Sequence, residues 1–245
     1  MTNRQRQRGF SLTEVLIAVG TLAVGMLFVG GTFVLGVHFS VLNTEKTYTA
    51  SVLQEAESML RLRPWTLGDS DDRELTWVDF ADPNHYGYPS DGNDLSQRQY
   101  SWTALVPQKY DAGDLCRVIF FVCRSVDTGG YSDGDGGSQA WPKPITTTVE
   151  VDVDYDNLIT SEDPYLRVGS VLVSDTTGMI YHVIGRGSDD KAKAFKIQPV
   201  WHKNEPDDGD AVQWILPPGK STGKNPCIGV FSREMRLPQA KQSNP

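Results

Sequence analysis

The feature that most constrains the fold of this chain is an apolar run near its start. Residues 15–37 contain no charged side chain, and these 23 residues, at about 1.5 Å of rise each, are long enough as a helix to cross a hydrocarbon core about 30 Å thick. The run is too long for a cleaved secretory signal, and no A-x-A-like site follows it. Arg4, Arg6 and Arg8 precede the run and no basic residue follows it directly, so the positive-inside rule predicts a cytoplasmic N-terminus.

A carboxylate, that of Glu14, stands immediately before the apolar run. An acid in hydrocarbon costs a few kcal/mol, so a carboxylate at this position indicates a function and a partner. A plain membrane anchor accounts for the length of the run and for the leading charges, but not for Glu14. The alternative is that Glu14 caps the start of the helix, where an acid in the first turn is favourable by about 0.3–1 kcal/mol.

The residues around Glu14 carry a family resemblance. A basic leader, then Gly9 and Phe10, then SLTEVLIAVGTLAVG, resembles the class III signal of type IV pilins and type II secretion pseudopilins. The resemblance covers residues 4–36. It implies that a prepilin peptidase removes the leader, residues 1–9, by cutting between Gly9 and Phe10, and that it methylates the new amine of Phe10. The acid of the family lies five residues beyond the glycine, which is the position of Glu14.

The resemblance also implies partners and a location. In an assembled filament, Glu14 is expected to pair with the Phe10 amine of a neighbouring subunit, because opposite charges about 4 Å apart attract strongly where water is scarce. The expected partners are prepilin peptidase, other pilin or pseudopilin subunits, an inner-membrane assembly platform and membrane lipid. The subunit is expected to cross the inner membrane once with a periplasmic head, and later to join a periplasmic or extracellular filament. The choice between a pilus and a secretion system stays open.

The helix is predicted to continue beyond the membrane. Residues 38–63 contain neither proline nor glycine, and Tyr48, Val52, Ala56 and Met59 recur at helical spacing, which predicts an amphipathic helix with one buried stripe. Pro64 ends it. The prediction is therefore a helix over 10–63, of which 10–37 form the membrane segment or filament core.

A glycine pair interrupts the membrane half of this helix. Gly30 and Gly31 fall about where many pilins carry a helix-weakening proline, and we expect the helix to melt there when the subunit leaves the bilayer. The alternative is that the glycines are ordinary tolerated residues of a membrane helix, where they allow close packing.

The remainder of the chain reads as β-structure, which makes the predicted fold class α+β. Runs at 74–80, 98–106 and 115–126 are rich in aromatic and β-branched residues, and apolar and polar side chains alternate over 148–155. Residues 64–156 are predicted to form a pilin-like head, an antiparallel sheet packed on the second half of the helix. Residues 157–237 are predicted to form an additional β-rich subdomain or an extension of that sheet, and the tail 238–245 is predicted to be disordered.

Charge and motifs exclude several functions. The net charge of -8 argues against a general nucleic-acid binder. The four histidines have no ligand spacing, and the sequence has no nucleophile elbow or phosphate loop, so we predict that the chain is not an enzyme and carries no cofactor. Asp133 and Asp135 lie in an Asp-Gly loop that can offer oxygens to Ca²⁺, but the EF-hand pattern breaks at Pro144 and a solvated turn is the favoured interpretation.

The cysteines leave one question open. Cys116 and Cys123 flank a predicted strand and are too far apart along it to bond to each other, so any disulfide must include Cys227. Three buried thiols are an equal alternative. The competing function for the whole chain is a single-pass, periplasm-facing β-rich binding module or adhesin that uses the apolar helix only as an anchor.

Overall fold

The computed structural model describes residues 11–68, 73–90, 98–127, 130–132, 137–151, 157–187, 193–201 and 211–238, without the side chains of residues 42 and 138. The chain divides into two compact units, residues 1–48 and 49–245. Over the described ranges it contains one long α-helix, a short 3-10 helix at Pro83–Tyr86 and fourteen strands.

The long helix, α1, covers Leu12–Leu62, and the strands follow it in the chain. Their bounds are β1 Thr66–Leu67, β2 Leu75–Asp79, β3 Gly87–Tyr88, β4 Tyr100–Pro107, β5 Leu115–Arg124, β6 Tyr131–Ser132, β7 Ser138–Gln139, β8 Ile145–Val151, β9 Leu158–Thr160, β10 Val171–Ser174, β11 Ile180–Arg186, β12 Ala194–Gln198, β13 Ala211–Ile215 and β14 Cys227–Arg236.

The last turns of α1 belong to the core of the second unit. The buried apolar side chains of this segment are Val52, Leu53, Ala56 and Leu60. The predicted stripe is therefore confirmed at Val52 and Ala56, whereas Tyr48 is exposed. The helix ends at Leu62 because the residue before Pro64 is disfavoured in the α conformation.

Six strands form an open sheet, in the order β1-β2-β4-β5-β14 with β3 on β4. Alternate residues of its central strand β5 face opposite sides. Val118, Phe120 and Val122 pack into the cluster that contains the α1 side chains, whereas Ile119 and Phe121 belong to a second cluster. An antiparallel sheet therefore packs on the segment Thr49–Leu62 of the helix, and the predicted fold class α+β is confirmed.

Six further strands, β8 to β13, close into an antiparallel barrel in the order β10-β11-β12-β9-β8-β13. The interior is filled by apolar side chains, including Val149, Ile159, Leu172 and Tyr181, so the barrel has a core of its own. Two of its strands form a hairpin: β10 and β11 pair antiparallel, and Gly178 takes a positive φ of 68° in the turn between them.

The barrel packs against the open sheet with its outer surface. Val173 and Trp214 on barrel strands share one apolar cluster with Trp77, Ile119 and Phe121 of the open sheet. The open sheet is therefore covered on one face by the segment Thr49–Leu62 of α1 and on the other by the barrel.

Strand pairing corrects the boundary predicted at residue 156. β8, predicted to belong to the head, is a barrel strand that pairs with β13 and β9. β14 lies in the region predicted to be an additional subdomain or an extension of the sheet, and it extends the open sheet beside β5. The physical reason is that alternation along one strand indicates an apolar face but carries no information on which distant strand completes its hydrogen bonds.

The end of the described chain is held in place. The Tyr110 hydroxyl donates to the carbonyl oxygen of Pro238 at 2.9 Å, and the Gly113 N–H donates to Leu237 at 3.1 Å. Pro238 is the first residue of the tail predicted to be disordered; the remaining residues of that tail lie outside the described ranges.

Candidate functional site

The start of α1 is a capped helix terminus built from Ser11 and Glu14. The Ser11 hydroxyl accepts the N–H of Thr13 at 3.3 Å, and the Glu14 carboxylate reaches back to accept the N–H of Ser11 at 3.0 Å. A serine followed three residues later by glutamate is the sequence pattern of a capping box, which satisfies N–H groups that the first helical turn leaves without a carbonyl partner. The capping role proposed for Glu14 as an alternative is therefore present, and it leaves the carboxylate exposed to a further partner.

The surface that follows Glu14 is apolar on all sides. Every described side chain from Ser11 to Val41 is exposed, among them Leu27 at 75% and Phe33 at 72%. An 18-residue window of this helix has a mean hydropathy of 2.2 and is 0% buried. By length and composition α1 is apolar enough to cross a membrane.

The glycine pair lies inside this exposed segment. α1 is helical through Gly30 and Gly31, and a methyl group on either would meet no neighbour within 4 Å. The next residue, Thr32, directs its hydroxyl to the carbonyls of Phe28 and Val29, both at 3.0 Å. Such side-chain bonds slightly destabilise helices and often bend them. Melting on assembly stays a prediction.

Several predicted site residues lie outside the described ranges. Gly9 and Phe10, the residues of the predicted cleavage, are among them, and so are the Ca²⁺ candidates Asp133 and Asp135. Within the ranges that are described, no group of three or more His, Cys, Asp or Glu side chains is arranged to hold a metal ion. The predictions of no enzyme activity and no cofactor stay predictions.

A buried carboxylate that the sequence analysis missed joins the open sheet to the barrel. Asp175 follows β10 and is 6% exposed. Its Oδ1 accepts the Leu75 N–H at 3.1 Å and the Trp214 indole N–H at 2.8 Å, and its Oδ2 accepts the Glu74 N–H at 3.1 Å. In the sequence this residue belongs to a polar turn, SDTTG, and nothing local distinguishes it from a solvated aspartate.

A second buried carboxylate fixes the loop before β14. Asp127 accepts the backbone N–H groups of Ser221 and Thr222 and the hydroxyl of Ser221. Gly219 is required beside it, because a methyl group there would lie 2.6 Å from the Cβ of Asp127. These contacts hold the loop that leads from the barrel to β14 beside the end of β5.

Two thiols lie where that loop enters β14. Cys123 on β5 is buried and Cys227 on β14 is half-buried. Burial raises the pKa of Cys227 to about 12, and burial together with the nearby Cys227 raises the pKa of Cys123 well above its ordinary value. Both thiols are therefore protonated at neutral pH in the reduced, folded chain.

The raised pKa predicts that the reduced chain loses stability at alkaline pH. Above the ordinary thiol pKa of about 8.5, the unfolded chain releases the proton of Cys227 while the folded chain keeps it. The free energy of unfolding therefore falls with rising pH until the pH passes the pKa of Cys227 in the folded chain. Between pH 8 and pH 10 we expect the free energy of unfolding to fall by about 1–2 kcal/mol more in the reduced parent chain than in Cys227→Ser. Denaturant titrations at both pH values measure this difference, and an equal fall in the two chains would contradict it.

Comparison with protein-family models, with curated proteins and with solved structures finds no significant match for this chain. The features that indicate a function are therefore the physical properties of the chain and the resemblance of its first residues.

Proposed function

We propose that this chain is a pilin-like structural subunit, a pseudopilin or minor pilin of a type II secretion filament or type IV pilus. It is processed by prepilin peptidase and assembles through its N-terminal helix. The observation that carries the proposal is the start of α1, where the capped and exposed carboxylate of Glu14 stands at the head of a helix whose apolar surface is uncovered on every side.

The apolar helix requires a cover. Burial of apolar surface is favourable by about 25 cal/mol per Å², so an exposed stretch of this length does not stay in water. Lipid provides the cover for a stored subunit, and a bundle of identical or related helices provides it in a filament. The scattered glycines of the helix, including Gly20 and Gly25, permit the close helix approach that such a bundle needs.

Glu14 gives this bundle a register. In the membrane its carboxylate lies near the headgroups, where its cost is small. In a filament with little water, it pairs with the methylated amine that cleavage creates on Phe10 of a neighbouring subunit. An unpaired buried charge costs several kcal/mol, so registers that separate the two charges are disfavoured.

The second unit supports a specialised role. A helix segment packed on an antiparallel sheet is what the resemblance implies for a pilin head. The added six-stranded barrel makes the head larger than dense packing in a major pilin favours. We therefore propose a minor subunit that faces the periplasm and interacts with an inner-membrane assembly platform.

The barrel also favours a second candidate. Because it has its own closed core, it is suited to present loops to a ligand, and the chain would then be a membrane-anchored binding module or adhesin. The two candidates differ at residues 1–14, since an anchor needs neither cleavage nor a carboxylate.

Co-expression with a prepilin peptidase tests the proposal. We expect the chain to become shorter by the nine residues of the leader, because Gly9 and Phe10 provide the cleavage position that the resemblance implies. A denaturing gel followed by mass measurement detects the change, and the matched control is the same peptidase with its catalytic residue replaced.

A variant of the cleavage position completes the design. Gly9→Leu is expected to stay full length and to insert into the membrane as the parent does, since it leaves the apolar run unchanged. A parent chain that also stays full length beside an active peptidase would refute the proposal and leave the binding module.

A further inference from the structure

We infer that Cys123 and Cys227 form a disulfide that closes the barrel excursion at its base, while Cys116 stays a free thiol. The bond joins the end of β5, where the chain leaves the open sheet, to the beginning of β14, where it returns. The pairing itself follows from the geometry of the two strands. Its formation in the cell depends on the proposed function, because disulfides persist in the periplasm and are rare in the cytosol.

The register of the two strands places the cysteines opposite each other. Cys227 pairs with Cys123 across the antiparallel ladder. The Arg124 N–H donates to the Pro226 carbonyl oxygen at 2.8 Å. In an antiparallel ladder a hydrogen bond at this position flanks a non-hydrogen-bonded pair, which here is Cys123 and Cys227. Residues in such pairs have Cα atoms about 4.5 Å apart, which lies within the range of about 4.4–6.8 Å found for disulfides.

The faces of the sheet exclude the other pairings. Cys123 and Cys227 belong to the cluster on the barrel side of the open sheet, whereas Cys116 belongs to the cluster on the helix side. Cys116 lies opposite Met235 in the same ladder. A bond from Cys116 to either of the other cysteines would have to pass through the sheet.

The backbone beside Cys227 is irregular, and Cys227 is the less buried of the two cysteines. A β-bulge follows Cys227, between Cys227 and Gly229, where the ladder is irregular. The Cys227 thiol donates to the Gly229 carbonyl at 3.6 Å, a weak bond that is readily exchanged. Cys227 is half-buried whereas Cys123 is buried, so Cys227 is the more accessible of the two residues.

The oxidation balances with a disulfide oxidant. Cys227 loses its proton, and the resulting thiolate attacks one sulfur of a disulfide R–S–S–R, which forms the mixed disulfide and releases one R–S⁻. Cys123 then loses its proton and attacks the Cys227 sulfur, which releases the second R–S⁻. The protein gives up two protons and two electrons, and the oxidant becomes two thiols. In the periplasm the oxidant is a thiol–disulfide oxidoreductase in its disulfide form.

Oxidation of the purified full chain in detergent tests the pairing. The reduced chain is incubated with oxidised glutathione, alkylated and digested for mass spectrometry. We expect the number of alkylated cysteines to fall from three to one, with Cys123 and Cys227 in one cross-linked peptide and Cys116 alkylated. Three alkylated cysteines, or a stable glutathione adduct on Cys227 with Cys123 alkylated, would overturn the inference.

Variants and a denatured sample provide the controls. Cys116→Ser is expected to leave the cross-linked peptide unchanged, and Cys123→Ser is expected to abolish it. Oxidation in concentrated denaturant is expected to give a mixture of all three pairings, because the fold no longer selects one. The same mixture from the native chain would overturn the inference.

The chain isolated directly from cells separates this inference from the proposed function. A cross-link found there without added oxidant supports both. If the purified chain forms the bond with glutathione but the cellular chain has three free thiols, the pairing stands and the periplasmic placement of the head fails.

Discussion

Glu14→Ala is expected to abolish incorporation of this chain into filaments while leaving its insertion into the membrane unchanged. In the proposed filament the substitution leaves the Phe10 amine of a neighbour buried without its counter-charge, and breaking such a pair costs about 3–5 kcal/mol. At about 1.4 kcal/mol for each tenfold change, incorporation should fall by roughly two to four orders of magnitude. Sheared filaments and membrane fractions, probed for the chain, measure the two quantities separately.

Glu14→Gln distinguishes the pairing role from the capping role. The amide oxygen of glutamine can still accept the Ser11 N–H that Glu14 accepts at 3.0 Å, and glutamine is a natural member of the capping box. It carries no charge for the Phe10 amine. We therefore expect Glu14→Gln to fail in assembly as Glu14→Ala does. Normal assembly of Glu14→Gln would mean that Glu14 acts only as a cap.

Ser11→Ala is the matched control, because Ser11 is the other residue of the capping box. It removes the hydroxyl that accepts the Thr13 N–H but keeps the Glu14 charge. A lost cap costs about 1 kcal/mol of helix stability, so we expect assembly to be reduced by no more than about tenfold.

Asp175→Ala is expected to have the largest effect on the stability of the second unit. The substitution removes the acceptor of three N–H groups, those of Glu74, Leu75 and the Trp214 indole. Each buried donor left without a partner costs about 1–3 kcal/mol. We expect the free energy of unfolding to fall by about 3–5 kcal/mol, measured by denaturant titration of the full chain in detergent with tryptophan fluorescence as the signal.

Two control variants show whether these bonds cause the loss. Asp82→Ala removes an exposed carboxylate that accepts one N–H, that of Asn84 at 2.9 Å, and should cost about 1 kcal/mol. Trp214→Phe keeps most of the ring but removes the indole donor. If Asp175 acts through this bond, the effects of Asp175→Ala and Trp214→Phe will not add. Additive losses, or a loss from Asp175→Ala no larger than from Asp82→Ala, would contradict the role assigned to Asp175.

The positions of the strands could be predicted from sequence because they depend on local pattern. Apolar and aromatic runs marked β2, β4 and β5, and a polar turn ending in Gly178 marked the β10–β11 hairpin. The helix end at Leu62 followed from Pro64. Each of these features is decided by backbone sterics or by alternation within a few residues.

The pairing of the strands could not be predicted in the same way. β14 lies about 100 residues from β5 in sequence, and loop closure over such a distance depends on the whole core rather than on either strand. Closure of the barrel could not be predicted for the same reason, because β8 pairs with both β9 and the distant β13. The predicted boundary at residue 156 failed for this reason.

The functional residues also differ in whether a local sequence pattern identifies them. Glu14 could be identified because its position relative to Gly9 and the apolar run is a local pattern, and its capping bond lies within the first helical turn. Asp175 could not, because its three donors come from segments far from it in sequence. The sequence left a Cys123–Cys227 disulfide as one of several alternatives for the three cysteines. Only the register of β5 and β14 places these two residues opposite each other.

Determination of the mature N-terminus tests most directly the central claim, that the chain is processed as a pilin-like subunit. The chain is isolated from cells with an active prepilin peptidase, and its N-terminal peptide is sequenced by mass spectrometry. The proposed function predicts a chain that begins at Phe10 with a methyl group on its α-amine, the cation that Glu14 of a neighbouring subunit is proposed to meet. A chain that still begins at Met1 would contradict it, because the amine that Glu14 is proposed to meet would not exist.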